Sequence, residues 1–382
     1  MKHHGFLSTS DKPHYENVPF EVPSSWVWCK LHDIIQITNG RSQKDVENVN
    51  GKYPIYGSGG IIGKAVEYLC EAGSTIIGRK GTINNPLFVE ERFWNIDTAF
   101  GMKPMYAISD LYFFYFCQYF DFSKLDKSTA VPSLTQSAIG EVFIPIPPIN
   151  EQKRITDGIS YWLGFIDTLE SNLINLQLSI KQTKSKILNL AIHGKLVPQD
   201  PTDEPAAELL KRINPKAEIT CDNGHYQKLP EGWCETTLKH VLTIKSGNSI
   251  NVRNCTQGHY PIYGGNGITG HTDDYNIKES TIVIGRVGYY CGSVYLVRGK
   301  AWVSDNAFIT TIHKDIFYKK YLYYLLHFLN LRKFSNSTAQ PVISGKTIYP
   351  IHVLIPPIRE QKSIVAKIEE IFAPLNAIEA SL

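Results

Sequence analysis

The alternation of hydrophobic and polar residues changes period in a fixed order along the chain, and that order occurs twice. In the first pass, short β-branched and aromatic runs broken by Gly and Asn, such as "STIIGRKGTINNPLFVEERFW" (residues 74–94), predict strands joined by turns. "LYFFYFCQYF" (residues 111–120) then predicts a helix whose aromatic stripe is assigned to the core. After Pro147-Pro148 the period becomes 3.5. Ile155, Ile159, Trp162, Ile166, Leu169, Leu173, Leu176, Ile180, Thr183, Ile187 and Leu190 alternate in steps of four and three, with one polar residue among the eleven. This is a coiled-coil seam, and at 1.5 Å per residue it spans on the order of 50 Å.

The second pass repeats the first. "YPIYGSGGIIGK" starts at Tyr53, and "YPIYGGNGITGH" starts 207 positions later at Tyr260, with eight of twelve residues identical. Trp26 aligns with Trp233, Gly40 with Gly247, Gly78-Arg79 with Gly285-Arg286, Trp94 with Trp302 and Asp97 with Asp305. "STAVP" (128–132) aligns with "STAQP" (337–341), and "IPPINEQKRI" (146–155) with "IPPIREQKSI" (355–364). The seam returns as Ile364, Ile368, Ile371, Leu375, Ile378 and Leu382, each 209 positions after its counterpart. A period this long is a domain duplication and not a solenoid, whose repeats run to about 20–50 residues. The predicted fold class is α+β, two homologous modules in tandem, each followed by a long helix. The segments are a polar N-terminus (1–19), a module (20–149), a helix (150–193), a linker with the short helix "AAELLKRI" (194–228), a second module (229–358) and a shorter helix (359–382). The helices are expected to pack antiparallel along Ile159, Trp162, Ile166, Leu169, Leu173, Ile368, Ile371, Leu375, Ile378 and Leu382, relating the halves by an approximate two-fold axis. Pro374 is expected to kink the second helix. That helix reaches Leu382, the counterpart of Leu173, so either the distal third of the first helix packs on another chain or the second is a shortened form.

The repeated glycine loop invites a nucleotide, but its chemistry excludes one. A phosphate loop needs Gly, four residues, then Gly-Lys and Ser or Thr; Ser58 replaces the leading glycine, Ala65 follows Lys64, and His271 replaces the lysine in the second copy. Glycines at 265, 267 and 270 have dinucleotide-loop spacing, yet no helical pattern follows them. They are expected to form tight turns. The Pro-Pro pairs are flanked by Ile, which excludes an amino-methyltransferase loop. Glu151-Gln152-Lys153 and Glu360-Gln361-Lys362 start helices, where caps or partner contacts are expected in place of nuclease chemistry. Asp97 and Asp305 are expected to be buried structural aspartates. The twelve histidines show no ligand spacing. No catalytic, cofactor or metal site is assigned.

Composition narrows the class without naming a partner. With 43% hydrophobic residues, 20% charged residues and a net charge of +3, the chain is globular, and any nucleic-acid surface must be a local patch. Seven cysteines without a Cys-x-x-Cys pair argue against disulfides and zinc. No apolar run approaches a membrane span, and the polar N-terminus lacks a signal core, which favours the cytoplasm.

Two similar modules held apart by helices suit a ligand with two separated parts, such as duplex DNA read at two half-sites. The "LPEGW" start, the paired "YPIYGxxGIxG" loops, "IPPxxEQ" before a helix and "HGKLVPQDPTDEPAAELLKRI" resemble the specificity subunit of type I restriction-modification enzymes, over nearly the whole chain from about Phe20. The resemblance implies two target-recognition domains reading an asymmetric bipartite site, with the helices setting the spacer. It also implies that the helices dock modification subunits, which methylate adenine with S-adenosylmethionine, and restriction subunits, which use ATP and magnesium; the chain itself would be non-catalytic. Positions that differ between equivalent loops are then candidate DNA contacts: Ser58 and Gly59 against Gly265 and Asn266, Lys64 against His271, Lys80 against Val287, and Gln136 and Ser137 against Gly345 and Lys346. Arg79 and Arg286, shared by both modules, are expected either to bind phosphate or guanine or to pair with a nearby acid. The competing readings are a coiled-coil scaffold and a standalone two-domain DNA-binding protein without enzyme partners.

Overall fold

The computed structural model describes residues 18–106, 108–128, 131–221, 229–250, 258–313, 316–336 and 341–382. Residues 1–17 of the polar N-terminus, 222–228 of the linker, and 129–130 and 337–340 of the paired Ser-Thr-Ala-x-Pro stretches lie outside the described residues. The chain divides into two compact units, Met1–Glu170 and Ser171–Leu382.

Unit 1 contains β1 (Val27–Lys30), α1 (Leu31–Ile34), β2 (Ile35–Asn39), β3 (Tyr53–Gly57), β4 (Gly60–Ala65), β5 (Ser74–Gly78), β6 (Leu87–Val89), β7 (Trp94–Asn95), β8 (Ala99–Pro104), α2 (Asp110–Tyr119), α3 (Gln136–Gly140), β9 (Phe143–Ile146) and the start of α4 (Ile149–Ile192). A four-stranded sheet in the order β2-β8-β5-β6 lies beside a three-stranded sheet β4-β3-β7, and β1 pairs with β9. β5 is buried at every position, as a central strand of unbroken small and apolar residues requires. The stripe on α2 turns Tyr112, Phe113 and Cys117 into one core with Leu31, Phe100 and Ile144.

Unit 2 rebuilds this plan. After α5 (Ala206–Ile213) come β10 (Cys234–Thr237), β11 (Leu242–Ser246), β12 (Tyr260–Gly264), β13 (Gly267–Thr272), β14 (Thr281–Gly285), β15 (Val294–Val297), β16 (Trp302–Val303), β17 (Ala307–Ile312), α6 (Lys319–Leu329), α7 (Gly345–Ile348), β18 (His352–Ile355) and α8 (Ile358–Ser381). Its sheets run β11-β17-β14-β15, β13-β12-β16 and β10-β18, the counterparts of those in unit 1.

The glutamines of the repeated Glu-Gln pairs are clamps. The Gln152 side chain accepts from the Ser109 amide at 2.8 Å and donates to the Pro147 carbonyl at 2.9 Å. Gln361 accepts from the Tyr318 amide at 2.7 Å and donates to the Ile316 and Pro356 carbonyls at 2.9 and 3.0 Å. Each clamp pins the first turn of a long helix to the N-cap of an aromatic helix, satisfying backbone groups that helix ends leave without partners.

The seam is where the structure departs from the sequence expectation. Trp162, Ile166, Leu169 and Leu173 are exposed, Ile159 is half-buried, and Leu176 is exposed as well. Beyond its first turns, the buried stretch of α4 is its distal end, where Ile187, Leu188, Ala191 and Ile192 share a core with Ile364, Val365 and Ile368 of α8. Ile371 and Leu375 flank that core, whereas Ile378 and Leu382 are exposed. The distal third of α4 therefore packs within its own chain, and the division between the units falls inside α4 for that reason. α8 continues through Pro374 to Ser381.

The linker closes this packing through Glu360, which accepts from the Trp233 indole at 2.8 Å and from the Gln199 amide at 3.1 Å. Burial pushes the Glu360 carboxyl above its ordinary 4.5, with Asp203 adding to the rise and the two donors opposing it. A folded pKa raised above the unfolded value favours folding below pH 4.5, and the advantage is lost as pH rises through the folded pKa. The stability of wild type relative to Glu360→Gln should accordingly be greatest in acid and decline toward neutral pH in denaturant titrations. A difference independent of pH would show that burial does not hold this carboxyl up.

Candidate nucleic-acid interface

Each repeated "YPIYG" loop is a two-residue hairpin. β3 and β4 close at the Gly57–Gly60 pair with Ser58 and Gly59 at the tip, and β12 and β13 close at Gly264–Gly267 with Gly265 and Asn266 there. Both hairpins carry a register shift at the same place, after Ile55 and after Ile262. The turn uses glycine where the chain becomes left-handed, φ 125° at Gly60 and 79° at Gly267. This geometry exposes a tip and cradles no phosphate.

The tip presses on the Gly-Arg loop, and the close approach explains the shared glycines. A Cβ on Gly78 would collide with the Thr82 carbonyl and stand 3.1 Å from the Ser58 side chain; on Gly285 it would meet the carbonyls of Gly265 and Tyr290 at 2.5 and 2.8 Å. The Gly-Arg loop is stitched in turn to the strand leading into α3 or α7. Leu134 donates to the Arg79 carbonyl at 2.9 Å and Gly81 to that of Pro132 at 3.0 Å; Ile343 donates to Arg286 at 3.0 Å and Gly288 to Pro341 at 2.9 Å. Three loops thus converge at one edge of each module.

Arg79 and Arg286 hold equivalent places in that cluster. Arg79 Nη1 donates to the Asp97 carbonyl at 3.5 Å, and its guanidinium lies 5.9 Å from the Phe100 ring centroid. Arg286 Nη1 donates to the Asp305 carbonyl at 3.4 Å and the Ser246 hydroxyl at 3.2 Å, with the Phe308 ring 5.6 Å away. Among the described residues neither arginine makes an ion pair. Asp97 and Asp305 are exposed, not buried as expected, because they lie in the turns before β8 and β17, where their carbonyls face the arginines. Each guanidinium is steered by carbonyl and ring, and keeps N–H groups for a ligand.

The other candidates divide. Ser58, Gly59 and Lys80 join the cluster of unit 1, and Asn266 that of unit 2, with Gly59, Lys80 and Asn266 exposed. Ser137 and Lys346 are exposed on the first turns of α3 and α7. Gln136 instead turns back to the Ile37 carbonyl at 3.4 Å. Lys64 and His271 are exposed but sit at the base of their hairpins, opposite Pro54 and Pro261. At about 3.3 Å per residue this is on the order of 10 Å from the tips. The sequence reading did not single out Tyr289, Tyr290 and Arg332, which also border the cluster of unit 2; the available signal was "GYYCG", with two tyrosines between glycines.

The family model described as type I restriction modification DNA specificity domain matches residues 23–178 and 230–382. The Escherichia coli type I restriction enzyme EcoEI specificity subunit is 39% identical over 114 residues, a match covering 24% of this chain and 19% of that subunit, so the chain spans about a fifth of that relative's length. The EcoBI specificity subunit of the same organism is 23% identical over 98% of this chain and 85% of its own length. A solved chain from a study of complex assembly and conformational transition of the type I R-M system superposes with a TM-score of 0.62 at 16% identity, covering 95% of this chain and 94% of its own, which is a likeness of fold. Among the described residues no helix is long and apolar enough to cross a membrane.

Proposed function

We propose that this chain, which belongs to the type I restriction modification DNA specificity domain family, is the DNA-recognition component of a restriction-modification assembly and reads one half of a bipartite duplex site with each module. The observation that carries the reading is a duplicated scaffold with divergent tips. Hairpin, Gly-Arg loop and Gln clamp recur with the same register, while Ser58-Gly59 becomes Gly265-Asn266 and Lys80 becomes Val287. Identical backbones presenting different side chains are what two different half-sites need.

The helices complete the proposal. Lys184 meets Glu379 near the end of α8 at 2.5 Å, while Gln199, beyond α4, meets Glu360 at the start of α8; these contacts fit an antiparallel pair that sets the spacer. The exposed apolar stretch of Trp162, Phe165, Ile166 and Leu169 offers a surface on which methyltransferase subunits dock. In this reading the chain contributes no catalytic residue, and partner subunits supply the S-adenosylmethionine, ATP and magnesium chemistry.

Selection of the full chain against a random duplex library tests the proposal. The expected product is one motif of two fixed halves around a fixed spacer, bound with an affinity that falls steeply as salt rises through counterion release. Enrichment of nothing, with binding indifferent to salt, would favour a coiled-coil scaffold. Selection by the chain alone would show that recognition does not wait for enzyme subunits.

A further inference from the structure

The Gly-Arg loops diverge just beyond the arginines, and the scaffold gives no reason for the divergence. In unit 1, Gly81 (φ 78°) leads into Thr82 and Ile83, and Ile83 is buried in the core. In unit 2, Gly288 (φ 89°) leads into Tyr289 and Tyr290, which are 69% and 47% exposed, their rings edge-to-face at 5.0 Å. The guanidinium of Arg332 lies 4.5 Å from the Tyr289 ring centroid. Arg332 occupies the place of Ser123 in the short turns after the aromatic helices, Leu331–Phe334 and Phe122–Leu125, so unit 1 has neither member of the pair.

The backbone is built to hold this pair. A Cβ on Gly292 would collide with the Arg332 amide, so the tyrosine loop lies directly on the arginine turn. Asn330, which opens that turn, has a left-handed φ of 50°, a conformation that costs a non-glycine residue energy. The pair borders a 1090 Å³ cavity whose walls also carry Lys181, Lys184 and Lys333. Its acidic lining residue, Glu379, is ion-paired with Lys184. Two large aromatic side chains left out of the core, one with a guanidinium over its ring and both lining a cavity with Lys181 and Lys333, form a surface complementary to bases and phosphates.

We propose that Tyr289 and Arg332 form a DNA-reading element peculiar to unit 2, entering the groove of its half-site while Lys181 and Lys333 contact flanking phosphates. The inference rests on the DNA-recognition reading above and deepens it by naming readers outside the repeated tips. The Tyr289 ring, 4.5 Å from the guanidinium, holds Arg332 at the surface, where its N–H groups can bond to a base, and guanine offers a matching pair of acceptors.

The test applies duplex-library selection to full-length wild type, Tyr289→Ala and Arg332→Lys, with thermal unfolding as the check on folding. Tyr289 and Arg332 are both exposed, so both variants should unfold at the wild-type temperature. The expected result is roughly tenfold weaker binding, with base preference lost at one or two positions of one half-site and the other half-site intact. Arg332→Lys should show the same loss, since it keeps the charge but not the plane. Retention of both half-sites with affinity within about twofold of wild type would overturn the proposal. Uniform weakening on all duplexes would also overturn it, by reducing the pair to a sequence-neutral contact. A wild-type chain that enriches no bipartite motif would overturn the recognition reading itself.

Discussion

Replacing Gln361 by alanine should destabilise unit 2 by about 3–5 kcal/mol, because removing one side chain strands several buried partners and each unsatisfied group costs about 1–3 kcal/mol. The Tyr318 amide and the carbonyls of Ile316 and Pro356 would all lose their bond to a residue that is fully buried. Gln152→Ala should do the same to unit 1 through the Ser109 amide and the Pro147 carbonyl. Chemical denaturation followed separately by fluorescence of Trp302 in unit 2 and of Trp94 in unit 1, in single-tryptophan backgrounds, would assign each loss to its unit. Stability unchanged to within about 0.5 kcal/mol, the usual scale of surface substitutions, would show that water replaces the clamp. The glutamate one position earlier carries a different load. Glu360 is tied to Trp233 and Gln199, whereas Glu151 is half-buried. The two halves of one short motif thus separate into a clamp common to both modules and a linker contact of unit 2.

Removing either shared arginine should have the largest effect on binding. Arg79→Ala or Arg286→Ala is expected to weaken binding to the selected duplex by roughly 10- to 100-fold, the equivalent of the 1–3 kcal/mol carried by one good bidentate contact. The manner of the loss identifies the ligand atom. A guanine contact would remove preference at one base pair, whereas a phosphate contact would weaken all sequences alike and lower the salt slope by about one. Because each guanidinium is held by a carbonyl and an aromatic ring instead of a carboxylate, its loss leaves no unpaired acid behind, and thermal stability should hold. Affinity equal to wild type would remove that arginine from the interface.

What the sequence made legible was what the duplication repeats. Glycines shared by both copies marked tight turns, and the structure places left-handed backbone at Gly60 and Gly267; the crowding at Gly78 and Gly285 was not foreseen. The aromatic stripe of residues 111–120 was assigned to the core, and Tyr112, Phe113 and Cys117 are buried there while Tyr119 is exposed. What stayed hidden depends on partners distant in sequence. Gln152 and Gln361 gave no sign of the amides 43 residues before them. Asp97 and Asp305 looked structural because they repeat, yet it is their backbone carbonyls and not their carboxylates that do the holding. The heptad pattern announced a packing face but not its cover, since period alone cannot tell Trp162, which is exposed, from Ile187, which is buried by residues nearly 180 positions later. Tyr289 was passed over although it differs from its counterpart Thr82, because the comparison stopped at Lys80 and Val287 in this loop, and exposure of the ring is not visible in sequence.

The burial of α4 residues 187–192 against Ile364 and Ile368 bears on how the molecule is made. On the ribosome, Ile187 emerges long before Ile368, 181 residues later, and at about 5–20 residues per second the interval is on the order of 10–40 s. During that time the distal end of α4 lacks the α8 part of its cover, and only the earlier members of the same core, such as Ala206, Leu210 and Trp233, are available to it. That interval is when the apolar end of α4 is least covered. Slow codons between residues 193 and 360 would lengthen the exposure, and fast ones would shorten it.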